Sequence, residues 1–181
     1  MEIPEFKFAV REDLKDCGID FLPTRATSRS AGWDVKAAFK DIKLLKLYPF
    51  ETAKIPLGFR GFCPEGWWYE LKPRSSTFGK KNMHCLYGTI DEDYEGELLL
   101  ACQYIPPQLN RPWEEFEYYG MISAEFDSKP LVINFGDALG QIIPVKRQEM
   151  IVMEVTNEEY DELCRNRQGT RGAGGFGSTS E

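Results

Sequence analysis

Short β-type runs, separated again and again by proline and glycine, leave this chain little room for long helices. Residues 6–10, 67–71, 98–102, 131–135, 141–145 and 150–155 each combine β-branched, aromatic or leucine side chains over about five positions. Pro49, Pro56, Gly58, Gly61, Pro64, Gly66, Pro73, Gly79, Gly88 and Gly96 stand between or beside them as breakers. A strand of that length buries one face at most, so many of them must pack sheet on sheet. The pattern predicts an all-β sandwich, jelly roll or barrel. One helix start stands out: Thr156-Asn157-Glu158-Glu159 reads as a capping box, with Thr156 as N-cap and Glu159 reaching back. Tyr160, Leu163 and Cys164 supply its apolar stripe, and the helix is expected to end near Asn166.

With 181 residues, 42% of them hydrophobic, the chain suits one globular domain, expected over residues 1–168. Within it, residues 103–130 hold Pro106, Pro107, Trp113, Phe116, Tyr118 and Tyr119 without clear periodicity, and read as an ordered excursion from the sheet. Residues 169–181 read as a flexible glycine-rich tail. No apolar window approaches membrane-spanning length and the N-terminus shows no secretory pattern, so no membrane partner is expected and the location is read as cytoplasmic. The net charge is −7, and no basic cluster exceeds the pairs Lys80-Lys81 and Lys146-Arg147, which argues against long nucleic acids. A small anion needs only a few local cations. Five widely spaced cysteines and one histidine, His84, argue against a zinc site and a histidine-based triad.

Four segments carry possible chemistry. The tail Thr170-Arg171-Gly172-Ala173-Gly174-Gly175-Phe176-Gly177-Ser178-Thr179 sets a guanidinium, hydroxyls and glycine N–H groups beside one aromatic ring. That combination suits a phosphate chain and a flat base, and equally suits a frayed end. Pro73-Arg74-Ser75-Ser76-Thr77-Phe78-Gly79-Lys80 follows a strand and resembles half an anion nest, or a polar turn. Gly88-Thr89-Ile90-Asp91-Glu92-Asp93-Tyr94-Glu95-Gly96-Glu97 gathers five carboxylates in a hairpin, with Ile90 and Tyr94 on its pocket or core side. A carboxylate there can hold an attacking water, and others can hold Mg²⁺; a solvated acidic turn is the plainer reading. Ala31-Gly32-Trp33-Asp34-Val35-Lys36-Ala37-Ala38 reads as a strand with an acid near its start.

Taken in order, and joined by Gly136-Asp137-Ala138-Leu139-Gly140-Gln141, these segments resemble the five motifs of the homotrimeric dUTP nucleotidohydrolase (dUTPase) family. The resemblance spans nearly the whole chain. It implies a jelly-roll-like β fold, a homotrimer with sites shared between subunits, and hydrolysis of dUTP to dUMP and diphosphate with Mg²⁺. By that resemblance Asp91 activates the water that attacks the α-phosphorus. Tyr94 packs on the deoxyribose. Arg74, Ser75, Ser76 and Gln141 hold phosphates, and Gly88 and Ile90 belong to the base-reading hairpin. From a neighbouring subunit's tail, Arg171, Gly177, Ser178 and Thr179 grip the outer phosphates while Phe176 covers the base. Asp34 supports the site, with a water-mediated link to an Mg²⁺ ion held mainly by phosphates.

Three departures qualify the resemblance. Ala138 stands where the fourth motif usually has an arginine, and Lys36 is a candidate replacement cation. Cys85 stands where the family usually has a uracil-binding asparagine, with His84 beside it; a thiol is a weak hydrogen-bonding group. The insert at about 103–130 is reminiscent of bacteriophage members, for which the host cytoplasm is the implied location, and its aromatics suit either a protein partner or a local mini-core. Two other functions stay open: hydrolysis or deamination of dCTP or a modified pyrimidine nucleotide, and nucleotide-dependent regulatory binding through the insert.

Overall fold

The structure, a computed structural model, describes residues 3–106 and 129–167. The chain divides into two units, residues 1–147 and 148–181. In the first unit the described residues form ten strands: β1 (Lys7–Val10), β2 (Trp33–Lys36), β3 (Leu44–Leu47), β4 (Thr52–Phe62), β5 (Trp67–Pro73), β6 (Met83–Cys85), β7 (Gly88–Ile90), β8 (Glu97–Tyr104), β9 (Leu131–Asn134) and β10 (Ala138–Lys146). They build two four-stranded sheets, ordered β1-β4-β8-β6 and β2-β10-β5-β7, and a two-stranded sheet β3-β9. All the strand pairings are antiparallel. The all-β expectation holds.

The core lies where the sheets' inner faces meet. On β8, Leu98, Leu100, Cys102 and Tyr104 are buried while Leu99 is 42% exposed, the two-residue period of a strand with one wet face. Ile55, Leu57 and Phe59 of β4 and Met83 of β6 join them from the same sheet. Val35, Tyr69, Leu71, Leu139 and Ile142 answer from the other. Each such side chain contributes about 1.5–3 kcal/mol of burial. Expected runs became β1, β5, β8, β9 and β10 with shifted ends. Gln103 and Tyr104, expected in the excursion, complete β8.

Two expectations fail. Pro56, Gly58 and Gly61 were expected to separate strands, yet all lie inside the eleven-residue β4. The ladder to β8 shifts register between Pro56 and Arg60, and such an irregularity accommodates a proline that has no N–H to give. Glu97 accepts the Gly58 N–H at 2.9 Å and also pairs with Arg11, whose own N–H donates to the Gly58 carbonyl. The second failure is residues 150–155, which form no strand. Met150, Ile151, Val152 and Met153 are all more than three-quarters exposed, and no described strand pairs with this run. A β-prone sequence without a partner cannot satisfy its backbone as a sheet.

In the second unit α2 (Asn157–Asn166) follows. Its capping box is complete: Thr156 accepts the Glu159 N–H, and the Glu159 carboxylate accepts the Thr156 N–H at 2.7 Å. Such a cap is worth about 1 kcal/mol, and those hydrogen bonds lower the Glu159 pKa. Among the described residues, no helix is long and apolar enough to cross a membrane.

Candidate functional site

Three of the sequence segments converge at one end of the second sheet. Antiparallel register sets Gln141 of β10 opposite Asp34 of β2, and Gly140 opposite Pro73 at the end of β5. Leaving β5, Arg74 donates its backbone N–H to Leu139 at 3.0 Å, and its guanidinium reaches the Ala138 carbonyl at 3.4 Å. The same guanidinium stands 3.4 Å from the Asp34 carboxylate. Arg74, not Lys36, is therefore the cation on Asp34; the Lys36 ammonium donates to the Asp20 carbonyl instead. The pair is partly exposed and worth at most about 1 kcal/mol. Its value is positional: it sets the fork beside the alanine that replaces the expected arginine.

Residues 75–79, expected to turn as half a nest, coil into the short helix α1 (Ser75–Gly79). Thr77 anchors it. Its hydroxyl, 1% exposed, donates to the Leu139 carbonyl and fixes Ser75 and Ser76 over β10. Sequence reading passed over Thr77, because a hydroxyl among hydroxyls carries no sign of which one turns inward. Gly32 was missed as well. A Cβ there would meet the Gln141 Oε1 at 2.5 Å, so the glutamine side chain lies across a glycine that leaves it room. Asp137 is structural: it accepts from the Asn134 N–H and pairs with Lys81 at 2.9 Å.

The acidic hairpin stands elsewhere. β7 pairs with β5 so that Ile90 faces Tyr69, and Gly88 faces Leu71. Ile90 packs against the core, as expected. Asp91, one step further, is exposed, and its carboxylate has no hydrogen-bond or ion-pair partner among the described residues. Glu92 is engaged: it accepts the Gly66 N–H at 3.0 Å and pairs with Arg147 at 2.7 Å. Glu97 is held by Arg11 and Gly58 as described. Asp93 and Glu95 are exposed. The Tyr94 N–H donates to the Asp91 carbonyl, and its phenol folds back to donate to the Glu97 carbonyl at 3.1 Å. A Cβ on Gly96 would meet that phenol oxygen at 2.4 Å, so the hairpin closes this way only over glycine. Beside Asp91 opens a cleft of about 640 Å³, lined by Trp67, Trp68, Thr89 and Arg147 among others.

Asp91 continues the ladder past Ile90 and so lies level with Trp68, whereas Arg74 follows the far end of the same strand. Six residues of extended chain separate those levels, about 20 Å. Cys85 ends β6, half-buried, and burial pushes its thiol up to about 12. His84 is exposed and meets the Phe78 ring edge-on at 5.0 Å. Among the described residues no three His, Cys, Asp or Glu side chains gather as a metal cage. Arg171, Phe176, Gly177, Ser178 and Thr179 of the tail, and Trp113, Phe116, Tyr118 and Tyr119 of the insert, lie outside the described residues.

No family model matches the chain. Curated relatives do. The deoxyuridine 5'-triphosphate nucleotidohydrolase of Rhizobium rhizogenes is 33% identical over 165 residues, covering 90% of this chain and 86% of that one. Its counterpart from Bartonella henselae is 33% identical over 162 residues, covering 87% and 75%. Among solved structures, the Staphylococcus bacteriophage 80alpha dUTPase with dUPNHPP matches with a TM-score of 0.69 at 19% identity, over 98% of this chain and 99% of that one. The dUTPase from phage phi11 of S. aureus, described with a species-specific insert, matches at 0.62 and 22% identity, over 83% and 96%. The expected fold is the one these structures share.

Proposed function

The chain belongs to the deoxyuridine triphosphate nucleotidohydrolase family, and on that premise we propose that it is a cytoplasmic enzyme hydrolysing dUTP to dUMP and diphosphate, as a homotrimer whose sites draw on more than one copy. The observation that carries the shared site is the separation of about 20 Å between the Asp91 and Arg74 levels along β5. One chain cannot bring its water-orienting carboxylate and its phosphate-binding fork to a single triphosphate. A neighbouring copy that presents its Arg74, Ser75, Ser76 and Gln141 to this chain's hairpin can.

In that composite pocket Asp91 holds a water in line with the α-phosphorus and accepts its proton as the new P–O bond forms; diphosphate leaves. Phosphoryl transfer depends chiefly on positioning and on neutralising the spreading negative charge. Arg74 supplies a bidentate fork for phosphate oxygens, already oriented by Asp34 and the Ala138 carbonyl. Tyr94, tied to Glu97, offers the deoxyribose a flat face with no room for a 2′-hydroxyl. Gly88 and Ile90 present backbone groups to the base, and Cys85 contributes a neutral thiol. Arg171, Gly177, Ser178 and Thr179 close over the outer phosphates from a neighbour's tail, with Phe176 on the base. A structural Mg(II) ion is described in a mutant form of the phage phi11 dUTPase. Here the described residues offer no protein-built cage, and Asp34 is already paired with Arg74. An Mg²⁺ ion would be held mainly by the triphosphate oxygens and water, with Asp34 reached through water, and would supply charge neutralisation there.

Subunit mixing tests the shared site. Chains carrying Asp91→Asn and chains carrying Arg74→Ala, each nearly inactive alone, are co-expressed in equal amounts. Random assembly then leaves about a quarter of two-copy sites intact, and the mixture should recover about that fraction of wild-type dUTP turnover. A mixture no more active than either variant would refute the shared site. Failure of the wild-type protein to release diphosphate from dUTP, dCTP or dTTP with Mg²⁺ would refute the reaction.

A further inference from the structure

Cys85 and Cys102 face each other directly across the β6–β8 ladder. The rungs on either side identify the kind of pair they make. The Leu86 N–H donates to the Ala101 carbonyl at 2.9 Å, and the Ile105 N–H to the Asn82 carbonyl at 3.0 Å. Hydrogen-bonded and non-hydrogen-bonded pairs alternate in an antiparallel ladder, so Cys85–Cys102 is a non-hydrogen-bonded pair, with Cα atoms about 4.5 Å apart and side chains on one face. That separation falls within the roughly 4.4–6.8 Å at which disulfides form. Cys102 is 6% exposed on the core side of β8; Cys85 packs against the same core. Both also line a cleft of about 480 Å³ at the sheet edge, with Thr52, Ala53 and His84, which admits a small reagent. Cys102 has no place in the proposed hydrolytic chemistry, and the base contact proposed for Cys85 needs one thiol only. All five cysteines are free. Among the described strand pairings, this is the one that sets two of them opposite each other.

We propose that Cys85 and Cys102 are a thiol-modification site, closing to a cross-strand disulfide when the protein meets a low-molecular-weight disulfide. The Cys85 sulfur attacks one sulfur of the reagent and the reagent's S–S bond breaks. One thiol leaves, taking the first proton. The Cys102 sulfur then attacks the Cys85 sulfur of the mixed disulfide and expels the second thiol with the second proton. Two cysteines are oxidised and one reagent disulfide is reduced to two thiols. Burial pushes the two thiols up to about 12 and about 11, so thiolate is scarce at neutral pH and closure is slow.

The site matters for its position. Among the described residues β6 is an edge strand of the first sheet and pairs there with β8 alone, while β7 belongs to the second sheet. Residues 86–87 are the corner where the chain changes sheets, just before the hairpin of Asp91 and Tyr94. A bridge at Cys85 fastens that corner to the core strand β8. Leu86, whose amide makes the last rung, reports on the fastening.

The test uses the full-length protein, folded, incubated with oxidised glutathione and then alkylated. Weighed before alkylation, the expected product is two hydrogen atoms lighter than the starting protein; after alkylation its peptide map carries one cross-linked pair, Cys85 with Cys102, and dithiothreitol reverses it. Exchange of the Leu86 amide should slow about 10-fold in the oxidised form. Cys164→Ala should leave closure intact and Cys85→Ala should abolish it; if the latter variant does not fold, the wild-type peptide map decides alone. A glutathione adduct that stays on Cys85, a cross-link to Cys17, Cys63 or Cys164, or no mass loss would overturn the proposal. Unchanged Leu86 exchange would overturn the fastening. None of these readouts involves nucleotide turnover, so their failure is separate from failure of the hydrolase reading.

Discussion

The two functional regions of this molecule are built in opposite ways. At the Arg74 end, the guanidinium and the Thr77 hydroxyl are already engaged, Arg74 with Asp34 and Ala138 and Thr77 with Leu139, and Gln141 lies across Gly32. At the Asp91 end, the hairpin is held by Glu92, Tyr94 and Glu97, and the carboxylate it presents is left with no described partner. On the function we propose, one region is a receptor for charge and the other a mount for one reactive carboxylate. About 20 Å of strand keeps them apart. The difference teaches that a hairpin crowded with carboxylates need not be a metal site or a solvated turn. Two of its five acids, Glu92 and Glu97, tie the hairpin down, while Asp91, Asp93 and Glu95 stand exposed, and of these Asp91 is the one we propose as reactive.

The strongest attempt to break this contrast compares neighbours. Asp91→Asn should lower dUTP turnover about 10²-fold or more with little change in thermal midpoint. Glu92→Gln should keep turnover within a few-fold and cost about 1 kcal/mol, because it weakens the hold on Gly66 and Arg147. Rates and melts measured on both variants decide; equal loss of turnover would erase the division of labour within the hairpin. Next in size are two glycine substitutions that press on one side chain each. Gly96→Ala drives a methyl against the Tyr94 phenol and Gly32→Ala against the Gln141 amide. Each should reduce kcat/KM for dUTP about 10-fold through misplacement, and steady-state kinetics would expose a variant that is indifferent.

The smallest effect concerns the core that both regions share. Burial raises the thiols of Cys63, Cys85 and Cys102 to about 11, 12 and 11, from an ordinary 9.0. It raises the Tyr69 phenol too. Above pH 9 the unfolded chain releases these protons while the folded one keeps them. Their contribution is therefore complete below pH 9 and is lost as pH climbs towards 11–12. Thermal melts across that window should show a falling midpoint, less so in Cys102→Ala; a flat midpoint would mean the thiols are not shielded.

Much of the fold was legible because alternation survives burial. Leu98, Leu100, Cys102 and Tyr104 advertise β8 in the sequence, and Thr156 with Glu159 advertises the cap of α2. β4 was not legible. Pro56, Gly58 and Gly61 look like breakers, and only Glu97, Arg11 and the shifted ladder explain how a strand runs through them. Residues 150–155 misled in the opposite direction, since a strand's propensity is local but its hydrogen bonds are not. In the candidate site, Asp91, Tyr94, Arg74 and Gln141 could be named from their motifs. The cation on Asp34 could not: Lys36 is close in sequence, while Arg74 arrives from another strand.

By itself the sequence determined the alternating strands, the capped helix and the inventory of acids, cations and hydroxyls, because those depend on neighbours two to four residues away. Only the tertiary structure decided which of them meet. Ladder register, a matter of residues far apart along the chain, joins Asp34 to Gln141 and Cys85 to Cys102, and holds Asp91 a strand's length from Arg74.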